Sequence, residues 1–450
     1  MDCNLEKVMV GAAEADITPP VGVWLAGYGY ERVSDGIISP LKAHALVFGE
    51  GKSRSALLSL DLLAMPKLEG DIIRNRIFKE NGIAPERIML CCTHAHTGPE
   101  MRGNEDWCSA KCDDAYLEQM EASIAKAVAM AIDNQTLAIV CIGMQDEEGL
   151  AFNRRFRMKD GSEQFGPNKK KPTALDIDDD DTDCVGPAGP IDADFGVIAF
   201  KRELTDKPFA LIVNYALHVD VTSGDKITAD YPDVMSDVLK RIYGEKLVTL
   251  FIQGASGNIN HCPYLQHSPY PYVGEWKSGQ IGRAFAGKAI NIAEKAMPSK
   301  SSVVDVRQMV LDVPKYPKDD IVVQNLLSSI KARKFEELTF FEEVFVKLYN
   351  EYSDFGTDAR EVMTMRIGDA VLCGAPGELF VEWGLEIKKW SPFKYTFIAA
   401  LCNDYVGYIP TAEAIRRGGY EATPIISVKA TASFGQMVAD ANFKNLRELQ

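Results

Sequence analysis

The chain has 450 residues, and its 49 Lys and Arg against 64 Asp and Glu give a net charge of −15. This charge argues against binding to nucleic acid, or to an anionic membrane, through a basic surface. Apolar residues make up 46% of the chain, enough for a large buried core, and the length suits two or three domains or one large α/β domain.

Short apolar runs alternate with helical patterns along most of the chain. The predicted strands, in chain order, are Ala43–Phe48, Ser55–Leu60, Arg87–Cys92, Ala138–Gly143, Phe195–Phe200, Ala210–Tyr215, Leu247–Gln253, Ser302–Leu311, Glu361–Ile367, Ala370–Cys373 and Tyr395–Leu401. The predicted helices are Lys67–Asn81, Asp113–Asp133, Ala229–Tyr243, Gly279–Ala296, Val322–Asn350 and Leu379–Lys389. Because β–α alternation is mixed with consecutive strands, we predict an α/β fold in which mixed β-sheets are flanked by helices.

One polar segment interrupts this pattern. Residues 158–190 include Lys169-Lys-Lys and Asp178-Asp-Asp-Asp and few large apolar side chains, which predicts a long exposed loop. The acidic run lacks the Gly turn and the closing Glu of a calcium loop, so a solvated surface is favoured. No linker rich in Pro, Gly or Ser divides the chain, and we therefore predict one catalytic domain over residues 1–450.

The ten Cys residues are scattered, and several lie in apolar strand-like runs, such as Cys141 in Leu137-Ala-Ile-Val-Cys-Ile. This pattern is typical of reduced thiols, and no secretory signal or membrane-spanning run is visible. We therefore expect a cytoplasmic protein without stable membrane insertion. Cys108 and Cys112 could bridge or bind a metal, although no second Cys pair or nearby His supports a zinc finger.

The strongest local signal is Cys91-Cys-Thr-His94-Ala-His96-Thr-Gly-Pro-Glu100, which follows an apolar run. Alternation in an extended segment would place His94 and His96 on the same face. Two imidazoles at the end of a strand can share a metal, or one can bind the metal while the other transfers protons. A pair of hydrogen-bonded surface His residues near a turn is the alternative.

Two more predicted strands end at side chains that can bind metals. His218 follows Leu211-Ile-Val-Asn-Tyr-Ala-Leu, and Glu378 follows Val371-Leu-Cys-Gly-Ala-Pro-Gly. With His94 they would make a zinc site with an open position for water, but their spacing alone cannot join them. Glu378 could instead serve only to open a helix, because a helix N-terminus favours negative charge.

A Gly-rich turn, Gln253-Gly-Ala-Ser256-Gly257-Asn258-Ile-Asn260-His261, follows another predicted strand. Its backbone amides and small polar groups suit an anion or an oxyanion, although a tight structural turn is the alternative. Ser256 resembles a nucleophile in sequence, but the helix that a nucleophile elbow requires does not follow directly. Arg154 could clamp a carboxylate or an oxyanion, although a surface Arg is the commoner case.

These segments, in this order, resemble the catalytic domain of the neutral/alkaline, non-lysosomal ceramidases, as does Val10-Gly-Ala-Ala-Glu-Ala-Asp-Ile-Thr-Pro-Pro near the start. The resemblance covers nearly the whole chain. In that family two His, a Glu and a Tyr hold a zinc ion, which by position implies His94, His218, Glu378 and Tyr408. The resemblance also implies three further residues that line the site, namely His96, Arg154 and Tyr420.

The chain departs from the ceramidase pattern in two respects. Gly257-Asn-Ile-Asn260 stands where the family has Gly-Asp-Val-Ser, so Asn260 occupies the position of the essential Ser. Asn cannot serve as a nucleophile, but it can bond an oxyanion or a substrate amide. We also expect no C-terminal immunoglobulin-like domain of the kind that ceramidases carry. These departures, and the lack of an apolar membrane-docking stretch, argue against ceramide itself as the substrate.

We therefore predict a zinc-dependent hydrolase that cleaves an amide or ester bond of a small polar molecule through a metal-activated water. His96 and Tyr420 would transfer protons or stabilise the tetrahedral intermediate, and Asn260 and Arg154 would orient the substrate. Ser256, Gly257 and Asn258 would bind it. A metal-dependent lyase or isomerase of sugar-like compounds and a non-catalytic ligand-binding protein are the alternatives. The oligomeric state is left open.

Overall fold

The computed structural model describes residues 5–28, 30–102, 112–168, 183–266, 269–333, 340–351 and 357–450. The strands in these ranges are β1 (Val8–Asp16), β2 (Gly36–Ile37), β3 (Lys42–Phe48), β4 (Ser55–Leu60), β5 (Ile88–Cys92), β6 (Thr136–Asp146), β7 (Phe152–Asn153), β8 (Arg155–Met158), β9 (Glu163–Phe165), β10 (Cys184–Pro187), β11 (Asp194–Lys201), β12 (Ala210–Tyr215), β13 (Lys226–Ile227), β14 (Val248–Gln253), β15 (Ile259–Asn260), β16 (Met297–Pro298), β17 (Val304–Pro314), β18 (Thr357–Ile367), β19 (Ala370–Gly374), β20 (Glu378–Leu379), β21 (Tyr395–Ala399) and β22 (Tyr408–Ile409). The helices are α1 (Lys67–Asn81), α2 (Asp114–Asp133), α3 (Tyr231–Tyr243), α4 (Glu275–Lys295), α5 (Ile321–Lys331), α6 (Phe340–Glu351), α7 (Val381–Trp390), α8 (Ala412–Arg417) and α9 (Phe434–Glu448).

The largest sheet follows the order β14-β12-β11-β6-β1-β3-β4-β5, and β16 also pairs with β6. The pairs β12–β14 and β4–β5 are parallel, whereas the other pairs along this path are antiparallel. Every residue of β4, β5, β12 and β14 is buried. Their continuous apolar runs are expected for strands that are covered on both faces of a sheet.

A second sheet, β17-β18-β19-β21, stacks on the first. Buried side chains from both sheets share one core, among them Ile198 and Leu250 of the large sheet and Met365 and Phe397 of the small one. The two sheets approach closely at Gly196, where a Cβ atom would lie 2.2 Å from the Phe397 ring. Only glycine therefore fits at this position.

Helices cover the outer faces of both sheets. Helices α1 and α2 enclose one core with β1, β3, β4 and β5, while α3 and α4 pack on β6, β11, β12 and β14. Helices α7 and α9 cover the small sheet. Local sequence sets several helix ends: the Asp113 side chain accepts from the Tyr116 amide and caps α2, and α1 stops at the left-handed Gly82. This arrangement confirms the predicted α/β fold with mixed sheets flanked by helices.

Some predicted elements differ from those observed. The single helix predicted over Val322–Asn350 is wrong, because α5 and α6 are separate. Its sequence has no Gly or Pro to mark the break, so periodicity alone joined the two helices. The exposed loop predicted over 158–190 instead contains β9 and β10, which pair with β8, and residues 169–182 lie outside the described residues. Short hairpins bury too few apolar side chains to show a period of two.

Two further expectations concern compartment and membranes. Six Cys residues in the described part of the chain are free and buried, namely Cys91, Cys92, Cys141, Cys262, Cys373 and Cys402. Cys108 lies outside the described residues, so the pair that it forms in sequence with Cys112 has no structural description. Among the described helices, none combines the length and apolarity needed to cross a bilayer.

Candidate metal centre

The curvature of the large sheet brings two distant strand ends together. The Ser59 hydroxyl of β4 donates to the Phe251 carbonyl of β14 at 2.6 Å, so strands near opposite ends of the sheet are in contact. His94 follows β5 and His218 follows β12, and their Nε2 atoms are 2.9 Å apart. The fold thus joins the two His residues that sequence spacing could not.

The chain turns sharply at His94, whose φ of 75° is left-handed. This conformation is uncommon for a residue with a side chain, and such strain is often found at functional sites. The turn brings His96 Nε2 to 3.2 Å from His94 Nε2. The expectation that the two imidazoles lie on the same side is thus met, but by a turn after β5 and not by alternation along a strand.

Glu378 comes from a different part of the fold. Strands β20 and β22 are parallel, and Glu378 is the register partner of Tyr408. Glu378 Oε2 lies 3.4 Å from His94 Nε2 and 3.7 Å from His218 Nε2. The side chains of His94, His218 and Glu378 are therefore all buried, and these three atoms lie within 3.7 Å of one another.

Backbone carbonyls determine which imidazole nitrogens face this point. His94 Nδ1 contacts the Leu63 carbonyl at 2.9 Å, and His218 Nδ1 contacts the Ser256 carbonyl at 3.2 Å. Since a carbonyl only accepts hydrogen bonds, both Nδ1 atoms carry the proton, and in the neutral rings both Nε2 atoms present lone pairs. Two lone pairs 2.9 Å apart repel each other unless a proton or a metal ion lies between them.

The carboxylate strengthens the case for a cation. Glu378 Oε2 is buried and has no hydrogen-bond partner in the described part of the chain. A tetrahedral zinc site with metal–ligand distances of about 2.0–2.1 Å places its ligand atoms about 3.3 Å apart. The observed separations of 2.9 to 3.7 Å among the two Nε2 atoms and Oε2 bracket that value. These donors therefore fit a small divalent cation.

His96 completes a group of three buried imidazoles that could hold a metal ion. The ligand atoms of His94, His96 and His218 all lie within 4.8 Å of one another. The His96 ring also meets the Tyr28 ring edge-on, at 5.1 Å between centroids, and its carbonyl accepts from Arg32. Burial and the neighbouring His94 lower the pKa of His96 to about 3. Its imidazole is consequently neutral near pH 7.

Burial and nearby charge lower the pKa of His218 together, but they act in opposite directions on the pKa of Glu378. Burial, Arg154 and the neighbouring His residues hold the pKa of His218 well below its usual range. Burial alone would raise the pKa of Glu378, but His94 and Arg154 lower it overall. The centre therefore combines neutral imidazoles at His96 and His218 with an ionised carboxylate at Glu378, and metal binding requires its ligands in these states.

Arg154 is completely buried beside the centre. Its Nη2 donates to the Tyr408 hydroxyl at 3.0 Å and to the Gly257 carbonyl at 2.9 Å, and its Nε donates to Glu421 at 3.0 Å. The Tyr408 and Tyr420 hydroxyls lie 3.1 Å apart. Burial alone would lower the pKa of Arg154, but Tyr408 and Glu421 raise it. The predicted Arg154, Tyr408 and Tyr420 thus form one hydrogen-bonded group.

The side chains of the Gly-rich turn are engaged within the protein. The Ser256 hydroxyl accepts from Gln253 at 2.5 Å, and the Asn258 side chain bonds Glu382 and the Val381 amide. At Gly257 a Cβ would lie 2.5 Å from the Glu378 carbonyl oxygen, so only glycine allows this contact.

The Asn260 side chain is also hydrogen-bonded within the protein. Its Nδ2 donates to the Tyr264 hydroxyl at 3.1 Å, and its Oδ1 accepts from the Cys262 backbone amide at 3.1 Å. The roles of these residues toward substrate stay predictions.

Several residues of the site were missed from sequence. Tyr405 donates to Glu378 Oε1 at 2.9 Å, and Glu421 pairs with Arg154. His261 Nδ1 lies 3.3 Å from Asp220 beside the three imidazoles, and this pairing raises the pKa of His261 to about 10 although burial alone would lower it. Each stands within five residues of a predicted site residue, but only the tertiary contacts reveal their partners.

No protein-family model and no curated protein sequence matches the chain. Among solved structures it is similar to neutral ceramidase from Pseudomonas aeruginosa, with a TM-score of 0.72 and 17% identity over 98% of this chain and 75% of that one. The chain has the fold of neutral ceramidase. A ceramidase complexed with C2 is similar to the same degree, with a TM-score of 0.72, 17% identity, and 98% and 76% of the two chains covered. The fold implied by the sequence resemblance is thus confirmed.

Proposed function

We propose that the protein is a zinc-dependent hydrolase that cleaves an amide or ester bond in a small polar molecule. The observation that carries this proposal is the convergence on one point of the buried His94 Nε2 and His218 Nε2 atoms and of Glu378 Oε2, which has no hydrogen-bond partner among the described residues. The similarity in fold to neutral ceramidase supports the choice of a hydrolase.

His94, His218 and Glu378 would hold the zinc ion, with Tyr408 as the fourth protein ligand. Nitrogen and carboxylate donors at these separations suit zinc, and a hard cation such as magnesium would favour oxygen donors. Bound zinc would activate water near neutral pH and polarise a substrate carbonyl. The carbonyls of Leu63 and Ser256 support this set by fixing the two imidazole tautomers.

The remaining residues would handle protons and substrate. His96 is a neutral, buried imidazole beside the centre, and such a ring can both accept and donate a proton. Tyr420 would donate to the leaving group or the oxyanion from its position against Tyr408. Arg154 would orient the substrate oxygen, since it is fixed beside Tyr408.

The turn after β14 would act mainly by holding other groups in place. Through backbone atoms, Ser256 contacts His218, and Gly257 contacts Arg154 and packs on Glu378. We propose that Ser256, Gly257 and Asn258 shape the substrate site in this way, and that Asn260 contacts the substrate once it releases Tyr264. An Asn in place of a catalytic Ser favours direct attack by water, because the amide cannot form an acyl intermediate.

We also propose that the substrate is not a bilayer-resident lipid and that the protein is cytoplasmic. The net charge of −15 disfavours attachment to an anionic bilayer, and free, buried thiols suit a reducing compartment.

The test combines metal analysis with a substrate screen. Protein purified without chelators is expected to contain about one zinc per chain, and to hydrolyse members of an acyl-amide and ester library with one oxygen from labelled water in the product. A product formed by isomerisation or elimination, without that oxygen, would select a lyase or isomerase. Tight ligand binding without turnover would select a binding protein. Protein that neither contains nor takes up a transition metal would contradict the proposal.

A further inference from the structure

The two carboxylate oxygens of Glu378 have different surroundings. Oε1 accepts a hydrogen bond from the Tyr405 hydroxyl at 2.9 Å, whereas Oε2 has no hydrogen-bond partner among the described residues. Oε2 is the oxygen that lies 3.4 Å from His94 Nε2 and 3.7 Å from His218 Nε2. Because an ionised carboxylate only accepts hydrogen bonds, the Tyr405 hydroxyl must be the donor.

Tyr405 is itself held firmly. Its amide donates to Asp404 at 2.7 Å, and both Asp404 carboxylate oxygens accept from Arg360 at 2.9 and 3.1 Å. The neighbouring Asn403 has a left-handed φ of 61° and its side-chain oxygen accepts from the Leu90 amide of β5 at 2.7 Å. The loop before β22 is therefore tied to the strand that leads to His94.

We propose that Tyr405 is a positioning residue that makes Glu378 a one-oxygen ligand, with Oε1 retained by the phenol and Oε2 directed to the metal. This inference rests on the proposed metal site. Hydrogen-bond partners of metal ligands orient them and tune the site, and their loss typically costs about 10–100-fold in metal affinity. A second consequence concerns geometry: if Oε1 were released, both oxygens could bind, and the position needed by water or substrate would be filled.

Tyr405 acts differently from the two nearby Tyr residues. The hydroxyls of Tyr408 and Tyr420 bond to each other, and Tyr408 also accepts from Arg154. The Tyr405 hydroxyl donates to the carboxylate of Glu378. Tyr405→Phe therefore removes one hydrogen bond to Glu378 and leaves the Arg154 group intact.

The test compares Tyr405→Phe with Tyr116→Phe. Tyr116 is also buried and donates its hydroxyl to the Ile17 carbonyl at 2.7 Å, in the core under α2, so it serves as the matched control. Zinc affinity is measured by competition with a chromophoric chelator, and ligand geometry by the visible absorption of the cobalt-substituted proteins. Tyr405→Phe is expected to weaken zinc binding by about 10–100-fold and to weaken the cobalt bands as the coordination number rises. Tyr116→Phe is expected to change neither.

A double-mutant cycle separates positioning from general damage. If Tyr405 acts through Glu378, then Tyr405→Phe costs no further zinc affinity in a Glu378→Ala background. Two outcomes would overturn the inference while leaving the proposed function intact. In one, Tyr405→Phe lowers zinc affinity as much in the Glu378→Ala background as in the parent. In the other, the Tyr405→Phe protein keeps the parent's zinc affinity and cobalt spectrum. A parent protein that binds no metal would overturn both.

Discussion

The metal centre and a second polar cluster bury similar side chains in opposite electrostatic settings. We call the second one the His44 cluster; it lies between β1, β3, β4 and α3 and comprises Glu14, Lys42, His44, Asp61, Asp233 and Lys240. Both regions contain buried imidazole and carboxylate groups. What differs is the identity of the atoms that face the imidazole nitrogens.

At His44, each ring nitrogen faces a carboxylate: Nδ1 is 3.6 Å from Glu14 and Nε2 is 3.6 Å from Asp61. Burial alone would lower the pKa of His44, but Asp61 and Glu14 raise it to about 9. At the centre, His94 and His218 face carbonyls through Nδ1 and each other through Nε2. A proton thus supplies the positive charge at His44, whereas the three imidazoles of the centre form a group that could hold a metal ion instead.

The largest expected effect comes from removing an imidazole of the centre. His218→Ala should lower zinc affinity by well over about 100-fold, because even the loss of a ligand's hydrogen-bond partner costs about 10–100-fold. Hydrolysis should be abolished with it. His44→Gln is the control and should keep its metal, as measured by elemental analysis after dialysis. A His218→Ala protein that retains stoichiometric zinc would contradict the assignment.

The buried ion pairs behind the centre should contribute next. Glu421 is fully buried and accepts from both Arg154 and Arg155 at 3.0 Å. Glu421→Gln leaves buried positive charge uncompensated and should lower the free energy of unfolding by about 3–5 kcal/mol. The matched control is Glu413→Gln, which breaks half-exposed pairs with Arg416 and Arg417 and should cost about 1 kcal/mol or less. Urea denaturation measures both variants, and equal losses in the free energy of unfolding for Glu421→Gln and Glu413→Gln would contradict this prediction.

The His44 cluster predicts a pH dependence of stability. The pKa of His44 is raised from 6.5 to about 9 in the folded protein. Protonated His44 therefore stabilises the fold fully below about pH 6.5, and this contribution is lost as the pH rises through 9. The loss amounts to about 3 kcal/mol. The free energy of unfolding of the parent should therefore fall toward that of His44→Gln between pH 6.5 and 10. A difference that stays constant over this range would show that His44 is neutral.

The smallest effect tests how tightly His96 is confined. At Gly27, with φ +107°, a Cβ would lie 2.9 Å from the His96 ring, whereas at Gly22, with φ +103°, a Cβ meets nothing within 4 Å. Both Gly→Ala variants should lose about 1–2 kcal/mol of stability through backbone strain. Only Gly27→Ala should also lower kcat, because only it displaces His96. Equal kcat values for the two folded variants would argue against a role for His96 in turnover.

The sequence predicts the strands and helices of the fold better than it predicts the contacts within the metal centre or the His44 cluster. Most long strands and helices follow from their hydrophobic periods, and the sequence after β5 singles out His94 and His96, whose imidazoles lie together in the structure. The convergence of His94, His218 and Glu378 does not follow, because it depends on sheet curvature and on the two-residue pair β20–β22. Likewise, nothing local distinguishes His44 from a metal ligand, since its two carboxylate neighbours come from adjacent strands or their ends.

We propose that one metal ion lies between His94, His218 and Glu378. Anomalous diffraction at the zinc edge, from a crystal grown with zinc, tests it most directly. We expect one dominant peak at about 2.0–2.2 Å from His94 Nε2, His218 Nε2 and Glu378 Oε2, with Glu378 Oε1 still bonded to Tyr405. A fully occupied zinc bound elsewhere, with no peak at these three atoms, would contradict it.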